Sequence, residues 1–190
     1  MHAMSTHRPR FPGPLVTGFA ALALACALVP QSDAGTATQN LAVSASVAAN
    51  CTIQTGALAF GAYDPIVANA TTALNATGTV TIACTKGSAP KITLDRGQHN
   101  SGANRFMQIT TVGLTDKLQY QLYQPPNATP GTACVFPGSK VWGPTAAQTF
   151  TPTKPTSRAA ATYNICGTVL AGQDVRVGAY TDTAVATVNF

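Results

Sequence analysis

Apolar side chains alternate with small or polar ones along residues 40–53, NLAVSASVAANCTI. An extended chain points successive side chains to opposite faces, so this pattern gives one apolar face and one polar face. The apolar positions are Leu41, Val43, Ala45, Val47, Ala49, Cys51 and Ile53. The pattern predicts a β-strand, and its length is more than one ordinary strand needs. We therefore expect the stretch to serve two purposes.

Five further stretches are rich in the β-branched and aromatic residues that favour strands, namely residues 77–84, 91–94, 118–123, 162–169 and 180–190. Glycine, proline and aspartate mark turns between them, as at Asp64-Pro65, Lys86-Gly87-Ser88, Arg96-Gly97, Pro125-Pro126 and Ala171-Gly172. Short strands separated in this way predict an all-β sandwich or barrel.

The last of these stretches, residues 180–190, alternates most clearly. Its threonines, with Asn189, occupy one face and are joined there by Val185. Its other face carries Tyr180, Ala184, Ala186, Val188 and Phe190. The alternation predicts a C-terminal strand with a single apolar face.

Composition supports the β prediction and limits the partners. All six acidic residues are aspartates, and a chain without glutamate is a poor source of helices. The 16 glycines and 13 prolines fit frequent turns. The net charge of +5 includes Arg8 and Arg10 near the N-terminus, and the other basic residues are scattered singly. Without a clustered basic face, we expect no nucleic-acid partner.

Residues 1–34 have the features of a secretory signal peptide, with Arg8 and Arg10 before an apolar stretch at 15–29 and a small residue, Ala34, at the cleavage position. A transmembrane anchor is the first alternative, but this stretch is short against the ~20 residues that a bilayer requires. A lipoprotein acylated at Cys26 is the second, but its flanking residues match that signal poorly. We expect an exported chain.

The chain has five cysteines, and removal of the signal peptide with Cys26 leaves four: Cys51, Cys84, Cys134 and Cys166. An even number in an exported protein favours two disulfides, for which three pairings are possible. No two of these cysteines have the close spacing of a metal site, and His99 is the single histidine after the signal peptide. The sequence therefore predicts no metal and no cofactor.

Candidate catalytic groups are equally sparse. His99 lies in a polar stretch that predicts a solvated turn, and there is no phosphate-binding glycine motif. The aspartates are spread along the chain, at Asp64, Asp95, Asp116, Asp174 and Asp182, rather than paired. Trp142 with Tyr120 and Tyr123 could form a sugar-binding platform, but a packing role is the favoured interpretation. We expect no enzymatic activity.

Several motifs, in order along residues 41–190, carry a family resemblance. They are Val47-Ala48-Ala49-Asn50-Cys51-Thr52-Ile53, Leu58-Ala59-Phe60-Gly61-Ala62-Tyr63-Asp64-Pro65, Val80-Thr81-Ile82-Ala83-Cys84, Leu118-Gln119-Tyr120-Gln121-Leu122-Tyr123, Val141-Trp142-Gly143, Ala171-Gly172-Gln173, Gly178-Ala179-Tyr180-Thr181-Asp182-Thr183 and Val188-Asn189-Phe190. Together they resemble the spore coat protein U family, which includes subunits of archaic chaperone–usher pili.

The resemblance implies an incomplete immunoglobulin-like β-sandwich that lacks its last strand. A donor-strand segment at 35–49, with Leu41, Val43, Ala45 and Val47 pointing inward, would then precede the domain at 50–190. The implied function is a fimbrial subunit that reaches the cell surface through the periplasm. Its implied partners are a periplasmic chaperone, an outer-membrane usher and copies of itself or related subunits. The alternatives are a non-polymerising coat protein of the same fold and a carbohydrate-binding adhesin.

The resemblance also implies a disulfide between Cys51 and Cys84. The chain departs from the family in the long segment between Tyr123 and Trp142, which contains Cys134, and in having Cys166 where an aromatic residue is more usual. A second disulfide, Cys134–Cys166, would account for both departures, because it would tie the longer segment to a late strand.

Peptide mapping of the non-reduced protein tests this pairing. We expect one linked pair that contains Cys51 and Cys84, and a second that contains Cys134 and Cys166. Recovery of Cys51 joined to either Cys134 or Cys166 would contradict the resemblance-based assignment.

Overall fold

The computed structural model describes residues 34–190, so all of the predicted signal peptide except Ala34 lies outside the described residues. The described chain divides after Ser44. Residues 34–44 form no helix or strand, and the side chains of Leu41 and Val43 are 86% and 85% exposed. Within residues 34–190, no helix is both long enough and apolar enough to cross a membrane.

The regular secondary structure of residues 45–190 is β-strand, apart from one short 3₁₀ helix at Ala146–Gln148. The strands are β1 (Cys51–Gly56), β2 (Leu74–Cys84), β3 (Lys91–Leu94), β4 (Arg105–Ile109), β5 (Lys117–Tyr123), β6 (Ala161–Val169), β7 (Tyr180–Thr181) and β8 (Ala186–Asn189). Six of them form an antiparallel sheet in the order β1-β2-β6-β5-β4-β7, and β3 pairs with β8 in a second sheet. The predicted all-β class is therefore confirmed.

The core forms because alternate residues of β2, β5 and β6 point to one side of the large sheet. They meet Ile92 and Leu94 of β3 in one cluster with Trp142 and Phe150. Trp142 is fully buried, and its indole N–H donates to the carbonyl of Ile92 at 2.9 Å. The sugar-platform interpretation of Trp142 is therefore wrong, and the packing interpretation is confirmed.

Two strand predictions differ from the structure, and one strand was not predicted. The predicted strand at 40–53 is observed only from Cys51 onward, where β1 begins and pairs with β2. The predicted strand at 180–190 is interrupted after Thr181, since β7 pairs with β4 whereas β8 pairs with β3. β4 was not predicted, because its sequence RFMQI shows no apolar alternation.

Two disulfides cross-link the fold. Cys51 and Cys84 are direct partners in the β1–β2 ladder, and a disulfide joins them. The second disulfide joins Cys134 to Cys166, which is fully buried in β6. The side-chain amide of Asn164 in β6 also donates to the carbonyl of Thr132 at 2.8 Å. The long segment after β5 is thus held against β6 by a covalent bond and by a hydrogen bond.

Arg105 is a buried cation at the start of β4, with 1% of its surface exposed. Its guanidinium donates to the main-chain carbonyls of Leu94 at the end of β3, of Asp95 just after it, and of Trp142. Burial lowers the pKa of Arg105, and the nearby charge of Asp95 opposes that effect. Because β4 and β3 belong to different sheets, this one side chain ties the two sheets together.

Arg105→Met should lower the free energy of unfolding by about 2–4 kcal/mol, because several buried carbonyls lose their donor. Urea denaturation of the purified protein measures the change. Arg176→Met is the matched control, since the Arg176 side chain is 58% exposed and its pair with Asp116 is long at 3.6 Å. An equal loss in both variants would contradict the bridging role of Arg105.

Candidate functional site

An open groove of about 1060 Å³ lies within residues 45–190. Its first wall is the chain that continues from β1, residues 55–63, and its second wall is formed by residues 175–184 and Ala186. Its floor is the core itself, namely Leu74, Leu94, Met107, Leu118, Tyr120, Leu122, Ile165 and Val169. The core of the sandwich therefore opens to the surface along this groove.

Small residues shape the first wall and allow it to lie close to the large sheet. A Cβ atom on Gly78 of β2 would lie 2.8 Å from the Cβ of Leu58. A Cβ atom on Gly167 of β6 would lie 2.7 Å from a methyl carbon of Leu58 and 2.9 Å from the ring of Phe60. These glycines let the two side chains pack onto the sheet, with the Phe60 ring 6.1 Å from the ring of Tyr120.

The groove coincides with a gap in strand pairing. β8 pairs with β3 along one edge, and β1 pairs with β2 along one edge. β1 and β8 lie near each other, yet no ladder joins them within the described chain. Their free edges carry main-chain donors and acceptors that a further extended segment can pair with. The geometry is therefore that of a sandwich with one strand position open.

A polar cluster lies at the second wall. The Asp182 carboxylate is 2% exposed and accepts a hydrogen bond of 2.7 Å from the hydroxyl of Tyr120. The Nδ1 atom of His99 lies 3.1 Å from the same carboxylate. His99 lies in a turn, as predicted, but the prediction of a fully solvated side chain is wrong, because the ring contacts Asp182 and is only 30% exposed. The long sequence separation of these residues hid the cluster from sequence reasoning.

Only some of the residues that the sequence predicted for the groove line it in the structure. Tyr180, Ala184 and Ala186 line it, whereas Val188 packs against the core beyond the lining and Phe190 is 52% exposed. The first wall was not predicted as part of the site. The small residues that alternate with Leu58 and Phe60 in GALAFGA are the signal that could have indicated it.

The predicted donor positions Leu41, Val43, Ala45 and Val47 are all exposed, and none lies in a strand.

Asp64, one of the scattered acids, stabilises the turn after the first wall. Its carboxylate accepts hydrogen bonds from the amides of Val67, Ile66 and Ala68, and these bonds lower its pKa. Within residues 34–190, no cluster of three or more histidine, cysteine or acidic side chains could hold a metal ion.

An immunoglobulin-like sandwich with one strand position open defines the class of this protein. The chain belongs to the spore coat protein U family, because the Spore Coat Protein U domain matches residues 37–187. It is similar to "Protein U" of Myxococcus xanthus, with 34% identity over 192 residues that cover 92% of this chain and 97% of that protein.

Two solved structures are also similar. One is the CsuC–CsuE chaperone–tip adhesion subunit pre-assembly complex of the archaic chaperone–usher Csu pili of Acinetobacter baumannii, at 18% identity and a TM-score of 0.51. The match covers 76% of this chain but only 41% of the matched chain. The other is the minor tip subunit HdaB of the E. coli Hda pilus, at 19% identity, 73% and 79% coverage and a TM-score of 0.34.

The Tyr120–Asp182 hydrogen bond predicts an alkaline effect. Burial raises the pKa of Tyr120 far above its ordinary value, and the hydrogen bond to Asp182 raises it further. The folded state therefore holds this proton more tightly than the unfolded state does, so the contribution to stability is full below about pH 10 and is lost as the pH rises above it. In Tyr120→Phe, unfolding free energy should fall less steeply above that pH than in the parent. Urea titrations at several alkaline pH values measure both slopes, and equal slopes would contradict the assignment.

Proposed function

We propose that this protein is a structural subunit of a surface fimbria assembled by the chaperone–usher pathway, in which each subunit completes the next by donor-strand exchange. The donor strand is the segment 35–49, and Leu41, Val43, Ala45 and Val47 are the side chains that enter the groove. Two features of the same chain support the proposal. One is an open groove whose floor is formed by core side chains, and the other is an exposed segment in which apolar residues alternate with small or polar ones.

The dimensions of the segment and the groove agree. From Leu41 to Val47 an extended chain covers about 20 Å, at ~3.3 Å per residue. The first wall, residues 55–63, spans about 26 Å if it is extended to the same degree. Four inward side chains on the donor therefore fit along the groove, and the outward residues Ala42, Ser44 and Ser46 are small or polar, as a solvent-facing strand surface requires.

The energetics favour polymerisation over a permanently empty groove. Burial of Leu41, Val43 and Val47 contributes on the order of 4–9 kcal/mol as an upper estimate. A typical domain is stable by only ~5–15 kcal/mol, so an occupied groove changes stability by a large fraction of the total. The free strand edges of an open groove can also pair with strands of unrelated chains, which leads to aggregation. This cost explains why a dedicated partner should cover the groove before assembly.

The partners follow from the same geometry. A periplasmic chaperone would cover the groove with its own strand, and an outer-membrane usher would bring the next subunit to it. Copies of this chain or related subunits would then supply the donor, and the product would lie outside the cell. One of the similar structures is a complex of a pilus subunit with its chaperone, which is consistent with this route. At 18% identity, the similarity to that structure is one of fold. The proposed role requires no cofactor and no catalysis.

The double variant Val43→Asp/Val47→Asp tests the donor assignment. Aspartate on the inserted face would have to be buried without a partner, at a cost large enough to prevent insertion. We expect it to abolish detergent-resistant multimers on unheated gels and to leave the chaperone-bound subunit at its normal amount. That amount is measured by co-purification with the chaperone from the periplasm.

The matched control is Ser44→Asp/Ser46→Asp, which adds the same charge to the same segment on its outward face. It should polymerise as the parent does. Multimers that survive in Val43→Asp/Val47→Asp would refute the assignment of the donor face. A parent that is monomeric by size exclusion would instead favour the non-polymerising coat protein.

A further inference from the structure

The second wall of the groove contains a crossover that lacks regular pairing. β7 belongs to the large sheet and β8 to the second sheet, and residues 182–185 connect them outside any strand. A segment without a ladder beside an open apolar groove is prone to local opening or to collapse into the groove. Contacts from elsewhere must therefore hold this wall in position while no strand fills the groove.

Asp182 supplies these contacts at the first residue of the crossover. Its carboxylate accepts hydrogen bonds from the amides of Gln98 and His99, at 2.9 and 3.3 Å, besides its contacts with the His99 ring and with Tyr120. Four donors from two distant parts of the chain thus converge on one side chain that is nearly inaccessible to water. Such a buried carboxylate is costly unless it is fully hydrogen-bonded, as it is here.

Asp95 supplies the contacts at the other end of the crossover. Its amide donates to the carbonyl of Val185 at 3.0 Å, and its carboxylate accepts from the amide of Val185 at 2.9 Å. The same carboxylate accepts from the amide of Gly97 at 2.9 Å. The carbonyl of Asp95 in turn accepts from the buried Arg105 guanidinium, which fixes this loop from inside the core.

Gly97 allows the loop to approach this closely. Its φ of +78° lies in the left-handed region, and a Cβ atom there would lie 1.9 Å from a carboxylate oxygen of Asp182. Residues 95–99 and Arg105 do not line the groove. Apart from Tyr120, the partners of both aspartates therefore hold the crossover from outside, where an entering strand displaces none of them.

We infer that Asp95 and Asp182 form a clamp that keeps the second wall open and correctly placed for strand insertion. We call this pair the crossover clamp. Asp95 lies outside the groove lining and is a positioning residue. Asp182 belongs to the lining, but its side chain is only 2% exposed and is occupied by the contacts described above, so it too acts by holding the wall in place. The inference rests on the proposed function for the identity of the inserted strand, but the placement of the wall can be measured without any strand.

The binding test uses the full exported chain with Val43→Asp/Val47→Asp, so that its own segment does not compete, and a fluorescent peptide of residues 38–49 as the probe. Asp182→Ala should weaken peptide binding by about tenfold or more, since several hydrogen bonds to the wall are lost. Asp182→Asn, which keeps an acceptor for the loop amides, should stay within about threefold of the background chain. The charge control Asp174→Ala, at an exposed site, should leave the affinity unchanged.

His99 gives the sharper test, because its side chain contacts Asp182 but does not line the groove. His99→Ala should weaken peptide binding in the background chain and should have little further effect when Asp182→Ala is already present. This non-additivity is the signature of two residues that act as one unit. Additive effects, or no effect of His99→Ala, would overturn the clamp.

Hydrogen–deuterium exchange tests the wall without the peptide. In Asp182→Ala, the amides of Gln98, His99 and Val185 should exchange about tenfold faster while those of β6 keep their rates, as expected for local opening. An equal increase throughout the domain would show a general stabilising role and overturn the inference. If the peptide does not bind the Val43→Asp/Val47→Asp chain at all, the proposed function is wrong. The exchange rates would then be the test of whether Asp95 and Asp182 hold the wall.

Discussion

The free edge of β8 is the constraint on which the other features of this domain depend. A sandwich closes its core when each inner face is covered and each edge is paired or protected. Here β8 pairs with β3 alone, and the position beside β1 stays open within the described chain. Core side chains such as Leu118 and Tyr120 therefore form the floor of a groove instead of lying beneath a strand.

An incomplete sandwich must obtain its rigidity from other contacts. The Cys51–Cys84 disulfide fixes the first wall at its origin in β1, and Cys134–Cys166 fixes the long segment after β5 to β6. The buried Arg105 joins the two sheets through main-chain carbonyls. Neither the four cysteines nor Arg105 lines the groove, so these contacts can stabilise the domain whether or not a strand occupies it.

The proposed donor and the groove have complementary requirements. The donor must be apolar on one face and must not already belong to a strand of its own domain, and residues 41–47 have both properties. The groove must be open but must not collapse, and the contacts of Asp95 and Asp182 answer that second requirement. In the proposed assembly, the apolar face of the donor leaves water and is buried in a groove that is already formed. The acceptor subunit therefore loses little conformational entropy on binding.

The sequence by itself determined the all-β class, most strand positions and the alternation of the donor segment, because these follow from a period of two and from turn chemistry, which are local properties. The pairing of the cysteines came from family resemblance rather than from any such local pattern. The tertiary structure alone decided where the C-terminal stretch changes sheets, that β4 is a strand, and that His99, Tyr120 and Asp182 meet. It also decided that residues 55–63 form a wall of the groove. These features depend on contacts between residues far apart in the chain, and alternation along a strand specifies which face is apolar without specifying what that face will meet.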